Sequence, residues 1–213
     1  LIPSDNTASS FWITNPDNTY VGNVAAGSEA TGFWIALPMH PTGLHHDDNY
    51  WPRRMRLREF KGNTSHSNFD GLMFDRGPNQ DGTFNVGGAG HIARTDPTDP
   101  KSQVLESVID RYTGYKNRNG AIWGRGEYHL FTNLKLADNA IGFTHAAGDP
   151  GAAPYTTRVV DSLFVGESDN IGNPRTAAEK AYGRSLPKAA ADYPIRGYEF
   201  YDYRHDVVNT TFV

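Results

Sequence analysis

An all-β chain wound as a parallel β-helix is what this sequence predicts, and three observations predict it. The first is composition: 22 glycines and 13 prolines among 213 residues favour many short elements over long helices. The second is self-similarity. Gly22-Asn23 followed by Gly32-Phe33-Trp34-Ile35 returns, one residue shorter, as Gly62-Asn63 followed by Gly71-Leu72-Met73-Phe74, and such repetition is the mark of a solenoid. The third is the recurrence of Asn ahead of an apolar strand, because buried Asn side chains stack in ladders along a β stack. An antiparallel sandwich or barrel also accepts short strands joined by turns; the Asn recurrence favours the solenoid. Asn equally tolerates a left-handed turn, and that reading fits the same fold.

Taken in order, Phe11 to Ile13 and Phe33 to Ile35 are aromatic and β-branched runs. Asn15-Pro16-Asp17-Asn18 and Gly22-Asn23 between them are turn signals. Residues 37–52 are too rich in Pro and polar side chains for a regular element and read as a long loop carrying His40, His45 and His46. Residues 55–74 repeat the opening unit. From 75 to 102 the composition shifts to Gly, Pro, Asp and Thr, which reads as a surface insertion between rungs. The pattern resumes over 104–123 and 130–144, where Asn119-Gly120 and Asp138-Asn139 read as equivalent turns and Gly120 and Gly142 stand one 22-residue coil apart. Another rung follows at Val159 to Val165. A second insertion, 166–193, contains Ala177-Ala-Glu-Lys-Ala, a stretch with modest helical character. The last rung, 195–203, alternates as a half-buried strand should and runs on into 207–213. Residues 1–213 thus read as a single β-helix region with two long loop insertions. A first residue that is Leu, and an end at Val213 inside a strand-like stretch, predict a piece of a longer chain.

A net charge of −4 gives no global basic field to draw nucleic acid or an anionic membrane. No apolar run reaches 18 residues, so no membrane insertion is expected. Zero cysteines exclude disulfides and Cys-ligated zinc or iron–sulfur centres. His45-His46-Asp47-Asp48 supplies metal-ligand types but has no second cluster at zinc spacing; it reads as a solvated loop, and no metal site is predicted. No cofactor is required. Calcium is the one ion that Asp96-Pro-Thr-Asp99 or Asp47-Asp48-Asn49 could attract, and only weakly. Gly87-Gly-Ala-Gly90 sits in an insertion, not between a strand and a helix, so it is no phosphate loop. Asn63-Thr64-Ser65 and Asn209-Thr210-Thr211 are glycosylation sequons.

Phe11-Trp-Ile-Thr-Asn-Pro-Asp-Asn, Val24-Ala-Ala-Gly-Ser, Gly32-Phe-Trp, His66-Ser-Asn, Gly71-Leu, Val108-Ile-Asp-Arg, Leu163-Phe-Val-Gly-Glu-Ser168 and Pro194-Ile-Arg-Gly197 occur in this order along the chain. In that series, spread over almost the whole chain, the sequence resembles the CEMIP family of secreted and cell-surface proteins that bind and depolymerise hyaluronan. The resemblance implies a right-handed β-helix, an extracellular or cell-surface location, an acidic polysaccharide partner and the remainder of a longer parent chain. The residues tied to depolymerisation in that family lie upstream of anything matched, so none carries over. The lack of cysteine points to a microbial relative. Fold transfers between relatives more readily than function, so a non-catalytic β-helix scaffold, adhesin or glycan-binding module stands beside an enzyme.

A uronate-bearing glycan is held by Arg or Lys on its carboxylates, by Asn, Asp and Gln on its hydroxyls and by Trp or Tyr on its sugar faces. Trp12, Trp34 and Trp123 are expected to fill the coil, which leaves Trp51, in the polar loop, as the sugar platform. His66, Asn68, Arg76 and Arg204 join it as expected substrate contacts. Hydrolysis needs two flanking carboxyls, whereas β-elimination needs a base and a cation that neutralises the uronate. Asp75, Asp110, Arg111, Arg125, His145, Glu167, Arg196, Asp202 and His205 are the catalytic candidates. Neighbours on a strand face opposite ways, so only one member of the pairs Asp75-Arg76 and Asp110-Arg111 can enter a given groove.

Overall fold

A residue in the left-handed conformation recurs at two corners of successive coils and sets the architecture. Gly22, Gly62, Arg111, Asn133, Asp161 and Asn209 occupy one corner, and Gly27, Ser67, Lys116 and Asp138 the other, with φ between 49° and 75°. Gly, Asn and Asp accept this backbone at low cost. Arg111 and Lys116 take it because the corner demands it of whatever residue stands there. The structure, a computed structural model, describes residues 8–78, 84–85, 88–146, 156–170, 175–177, 195–202 and 204–213.

Six coils follow one another. They comprise β1 (Ser9–Ile13), β2 (Thr19–Val21) and β3 (Val24–Ala26); β4 (Thr31–Ile35), β5 (Glu59–Lys61) and β6 (Thr64–His66); then β7 (Asp70–Phe74), interrupted by the two-stranded β8 (Gly77–Pro78) and β9 (Phe84–Asn85), with β10 (Ser107–Asp110) and β11 (Thr113–Tyr115). The next three are β12 (Gly120–Arg125), β13 (His129–Thr132) and β14 (Lys135–Ala137); β15 (Ile141–Ala146), β16 (Arg158–Val160) and β17 (Leu163–Val165); and β18 (Arg196–Phe200), β19 (Asp206–Val208) and β20 (Thr211–Phe212). Apart from β8 and β9, which pair antiparallel with each other, each strand pairs in parallel with its equivalent one coil on. Among the described residues this gives three six-stranded sheets, β1-β4-β7-β12-β15-β18, β2-β5-β10-β13-β16-β19 and β3-β6-β11-β14-β17-β20. This is a right-handed parallel β-helix, the hand that parallel crossovers take.

The two expected insertions lie between β7 and β10 and between β17 and β18. The loop expected at 37–52 belongs to a third long connection, β4 to β5, that carries short 3₁₀ turns at Gly43–His45 and Pro52–Arg54. Beyond Ala177, the stretch with helical character falls outside the described residues.

The predicted Asn ladders are present. Asn63 Oδ1 accepts the side-chain and backbone N–H groups of Asn23 at 3.1 and 3.0 Å. Asn117 receives Asn68 in the same way, and Asn139 receives Asn117, with Nδ2–Oδ1 distances of 3.1 Å. None of these five Asn has positive φ; the residue before each takes the left-handed turn. Stacking, not turn tolerance, is what they supply. Asn63 is fully buried in its ladder, so the first sequon is closed to glycosylation in the folded chain. One equivalence is corrected: the ladder couples Asn117 to Asn139, and Gly120 pairs with Ile141, not Gly142. Lys116-Asn117 is therefore the counterpart of Asp138-Asn139. The 22-residue coil holds elsewhere, as from Ser107 to His129.

Alternation fills the interior with three columns. Phe11, Phe33, Leu72, Ile122, Phe143 and Tyr198 come from the first sheet. Tyr20, Phe60, Ile109, Phe131, Val159 and Val207 come from the second. Each large apolar side chain so buried contributes about 1.5–3 kcal/mol. On the third sheet the column narrows to Ala25, Ser65 and Gly114, and the ring of buried Tyr112 occupies the space, its hydroxyl bonded to Ser65 Oγ and donating to Ala121 O at 3.1 Å. Gly71 lies against this crowding, where a Cβ would come 2.5 Å from Ala121 O and 2.6 Å from the Tyr112 hydroxyl. Gly71→Ala is expected to cost about 2–3 kcal/mol by overpacking, read as a lower urea midpoint with unchanged slope.

Candidate functional site

The alternation that sends Phe33 and Ile35 into the core sends Trp34 out of it. Register then builds an outward row across the first sheet: Trp12, Trp34, Met73, Trp123, Thr144 and Glu199. This overturns the expectation that Trp12, Trp34 and Trp123 fill the coil, since none of them belongs to the internal apolar cluster. Bulk and hydrophobicity argued for the interior. The period-two spacing in Phe11-Trp12-Ile13, Phe33-Trp34-Ile35 and Ile122-Trp123-Gly124 was the signal that could have placed them outside. Trp12 is 54% exposed and stacks on Trp34, with centroids 5.5 Å apart and ring planes 12° apart. Further along the row, half-buried Trp123 meets the exposed ring of Tyr201 at 5.5 Å.

Asp75, the residue after β7, anchors this face. Its side chain is 2% exposed, and its oxygens are saturated. Oδ1 accepts the backbone N–H groups of Arg76 and Ala89, both at 2.7 Å, and Oδ2 accepts Trp123 Nε1–H at 2.8 Å and Arg125 Nε–H at 3.1 Å. Its backbone carbonyl accepts the Trp34 indole N–H at 3.0 Å. Arg125 bridges onward, donating Nη1–H to Asp202 Oδ2 at 3.0 Å. Gly88 of the insertion lies against this guanidinium, where a Cβ would come 2.6 Å from Arg125 Nε. Burial pushes the Arg53 guanidinium below its ordinary value, and the charge of Asp75 opposes this. A carboxylate holding four donors is committed to positioning and has no lone pair left to act as a general base.

Of the sequence candidates, the structure brings together Asp75, Arg76, Arg125 and Asp202. Glu199, which sequence reasoning missed, belongs to the same outward row, its carboxylate accepting Thr144 Oγ1–H at 2.8 Å and pairing with Arg196 at 3.3 Å. The others lie elsewhere. Asp110 and Arg111 pair at 3.0 Å at the end of β10 in the second sheet, where Asn133 also donates to Asp110. His66 stacks on Tyr115 in the third sheet, and Glu167 is exposed just past β17. Arg204 donates to Thr156 Oγ1 at 2.6 Å. The Trp51 ring is capped by Arg54, whose Cζ is 4.0 Å from the ring centroid, and flanked by His40, so the better exposed platform is Trp12. Asn68 and His145 are fully buried; a ladder amide and an interior ring are out of reach of any ligand, which corrects their expected roles.

His145 belongs to an interior group of histidines. It stacks on His205 at 4.2 Å and bonds the Tyr198 hydroxyl. His91 from the insertion meets His129 at 2.7 Å and the Met55 carbonyl at 2.7 Å, with Phe74 against both rings. Burial pulls His91 down to about 4, and burial with neighbouring histidines holds His129 and His145 well below the ordinary value. These rings are neutral near pH 7 and serve packing. Among the described residues no group of three or more His, Cys, Asp or Glu is placed to hold a metal ion.

Residues 2–73 match a family model described as the CEMIP beta-helix. The chain belongs with the CEMIP-family β-helices. It is 36% identical to a Dictyostelium discoideum protein over 92% of its length. It is 33% identical to the mouse cell migration-inducing and hyaluronan-binding protein over 97% of its length, and 33% identical to the human cell surface hyaluronidase CEMIP2 over 96%. It spans only 19%, 16% and 16% of those three relatives, so the likeness of this CEMIP-type coil concerns one part of longer proteins.

Proposed function

We propose that the outward face of the first sheet binds an acidic polysaccharide of the hyaluronan type, outside the cell or at its surface. The observation that carries this reading is the row of aromatic rings, Trp12 on Trp34 and Trp123 beside Tyr201, flanked by the guanidinium groups of Arg76 and Arg125. Stacked rings suit sugar faces, and guanidinium groups suit uronate carboxylates. The names of two relatives, one hyaluronan-binding and one a hyaluronidase, support the same ligand. If the bound chain is also cut, Glu199 and Asp202 are the carboxyls on this face to which a hydrolytic step would fall.

Immobilised hyaluronan, chondroitin and alginate test the reading. The protein is expected to bind hyaluronan with an affinity that falls as salt rises. Trp12→Ala should weaken binding about fivefold, a loss of about 1 kcal/mol, with little change in thermal stability because the ring is half exposed. Chain length of the glycan after incubation separates cutting from binding alone. Failure to retain any of the three polymers would sink the proposal.

A further inference from the structure

A hollow of about 330 Å³ lies between the turn after β1 and the long β4–β5 connection, and it shares no residue with the outward row. Pro38, Pro41 and Pro52 give it apolar walls, and Pro38 and Pro52 are themselves buried. The two ends of the connection are clasped around it. Arg53 N–H donates to the Pro38 carbonyl at 3.2 Å, and His40 Nδ1–H donates to the Tyr50 carbonyl at 3.1 Å. The polar lining comes from Thr14, Asn15, Thr42, His45 and Tyr50. Asn15 Oδ1 accepts the Asp17 N–H at 2.9 Å, but the Asn15 amide N–H groups are unused. Thr42 opens the turn at Gly43–His45 without a side-chain cap, although Thr ordinarily caps. Neither that hydroxyl, nor those of Thr14 and Tyr50, nor the His45 ring makes a hydrogen bond with another described residue.

We infer that this hollow is a separate binding site for one uncharged pyranose unit of a neutral glycan. An anion would find no ammonium or guanidinium among the lining residues, and a hard metal cation would find no carboxylate. An apolar guest would strip water from the hydroxyls and the amide and leave them unpaired. Sugar hydroxyls both donate and accept, which matches a lining of three hydroxyls, an amide and an imidazole. The C–H face of the sugar ring packs on the prolines. The volume stands at the lower end of the range for small-molecule sites, room for a single ring. This site does not depend on the acidic-polysaccharide reading, since its residues are different and its ligand carries no charge.

The test titrates the full chain with the methyl glycosides of glucose, galactose and mannose, followed by proton–nitrogen NMR. At least one of the three should shift the Thr42, His45 and Tyr50 amides saturably in the millimolar range, with an affinity unchanged by added salt. The methyl glucuronide should bind about tenfold more weakly, because its carboxylate would be desolvated without a cation. Tyr50→Phe and Thr42→Val each remove one hydroxyl and no hydrogen bond among the described residues, so both variants should keep the dispersed spectrum of the folded chain. Each should weaken binding about fivefold, the worth of one neutral hydrogen bond, whereas Trp12→Ala should leave it unchanged. No saturable shift at these residues with any of the three glycosides overturns the inference. So does a glucuronide bound as tightly as its neutral counterparts, or an affinity that survives Tyr50→Phe and Thr42→Val together. A loss on Trp12→Ala would move the sugar to the outward row and overturn it as well.

Discussion

Asp75→Ala destabilises the coil by about 3–5 kcal/mol, the cost of removing one partner from a buried ion pair. The loss is large because one carboxylate holds four donors from three separate stretches: Arg76 at its own corner, Ala89 in the insertion, and Trp123 and Arg125 in β12. Without it the Trp123 indole N–H and the Ala89 amide lose their acceptor, and Arg125, whose side chain is 23% exposed, keeps Asp202 alone among the described residues. The same change unpins Trp123 and Arg125, so hyaluronan affinity should fall as well. Asp110→Ala is the contrast. Its partner Arg111 is 56% exposed, and the pair is worth under about 1 kcal/mol. Urea unfolding of the two variants should separate them by several kcal/mol; similar midpoints would remove Asp75 from its anchoring role.

Acid is expected to unfold the coil before the carboxylates titrate. His91, held at about 4, and His129 and His145, held well below 6.5, all favour the neutral ring when folded. The unfolded chain therefore takes up protons first as pH falls, and stability that is complete above about 6.5 is lost on the way down to the folded values. The drop from 6.5 to about 4 for His91 alone corresponds to about 3 kcal/mol. His129 and His145 add in the same direction, a large share of the 5–15 kcal/mol typical of a domain. Asp17 and Asp96, held below their ordinary value by hydrogen bonds from Arg58 and Thr98, lose their contribution only at lower pH. Urea midpoints measured from pH 7.5 to 4.5 should fall steeply, and His91→Phe should flatten part of the slope. A profile level across this range would contradict the buried neutral histidines.

The coil was legible because its determinants are local and repeated. A left-handed residue and a following Asn recur in Gly22-Asn23 and Gly62-Asn63, and their register follows from spacing alone. What misled was equating bulk with burial. Trp12, Trp34 and Trp123 alternate with core residues and so face outward, where Trp34 is nonetheless only 2% exposed. Composition ties a buried Trp to the core, but only strand parity says which face of the sheet buries it. The Asp75 hub could not be read at all, because Trp123 and Arg125 stand 48 and 50 residues away, and the intervening insertion hides the count of coils between them. Asn68 shows the reverse error: a polar residue suited to sugar hydroxyls was already consumed by the ladder.

The most direct test of the polysaccharide face is the set of four indole N–H signals in a proton–nitrogen NMR spectrum, assigned by single Trp→Phe variants and followed during titration with a hyaluronan octasaccharide. The outward row predicts that the signals of Trp12 and Trp123 shift together and saturably, while Trp51, capped by Arg54, stays in place. Shifts confined to Trp51, or no shift at any of the four, would contradict it.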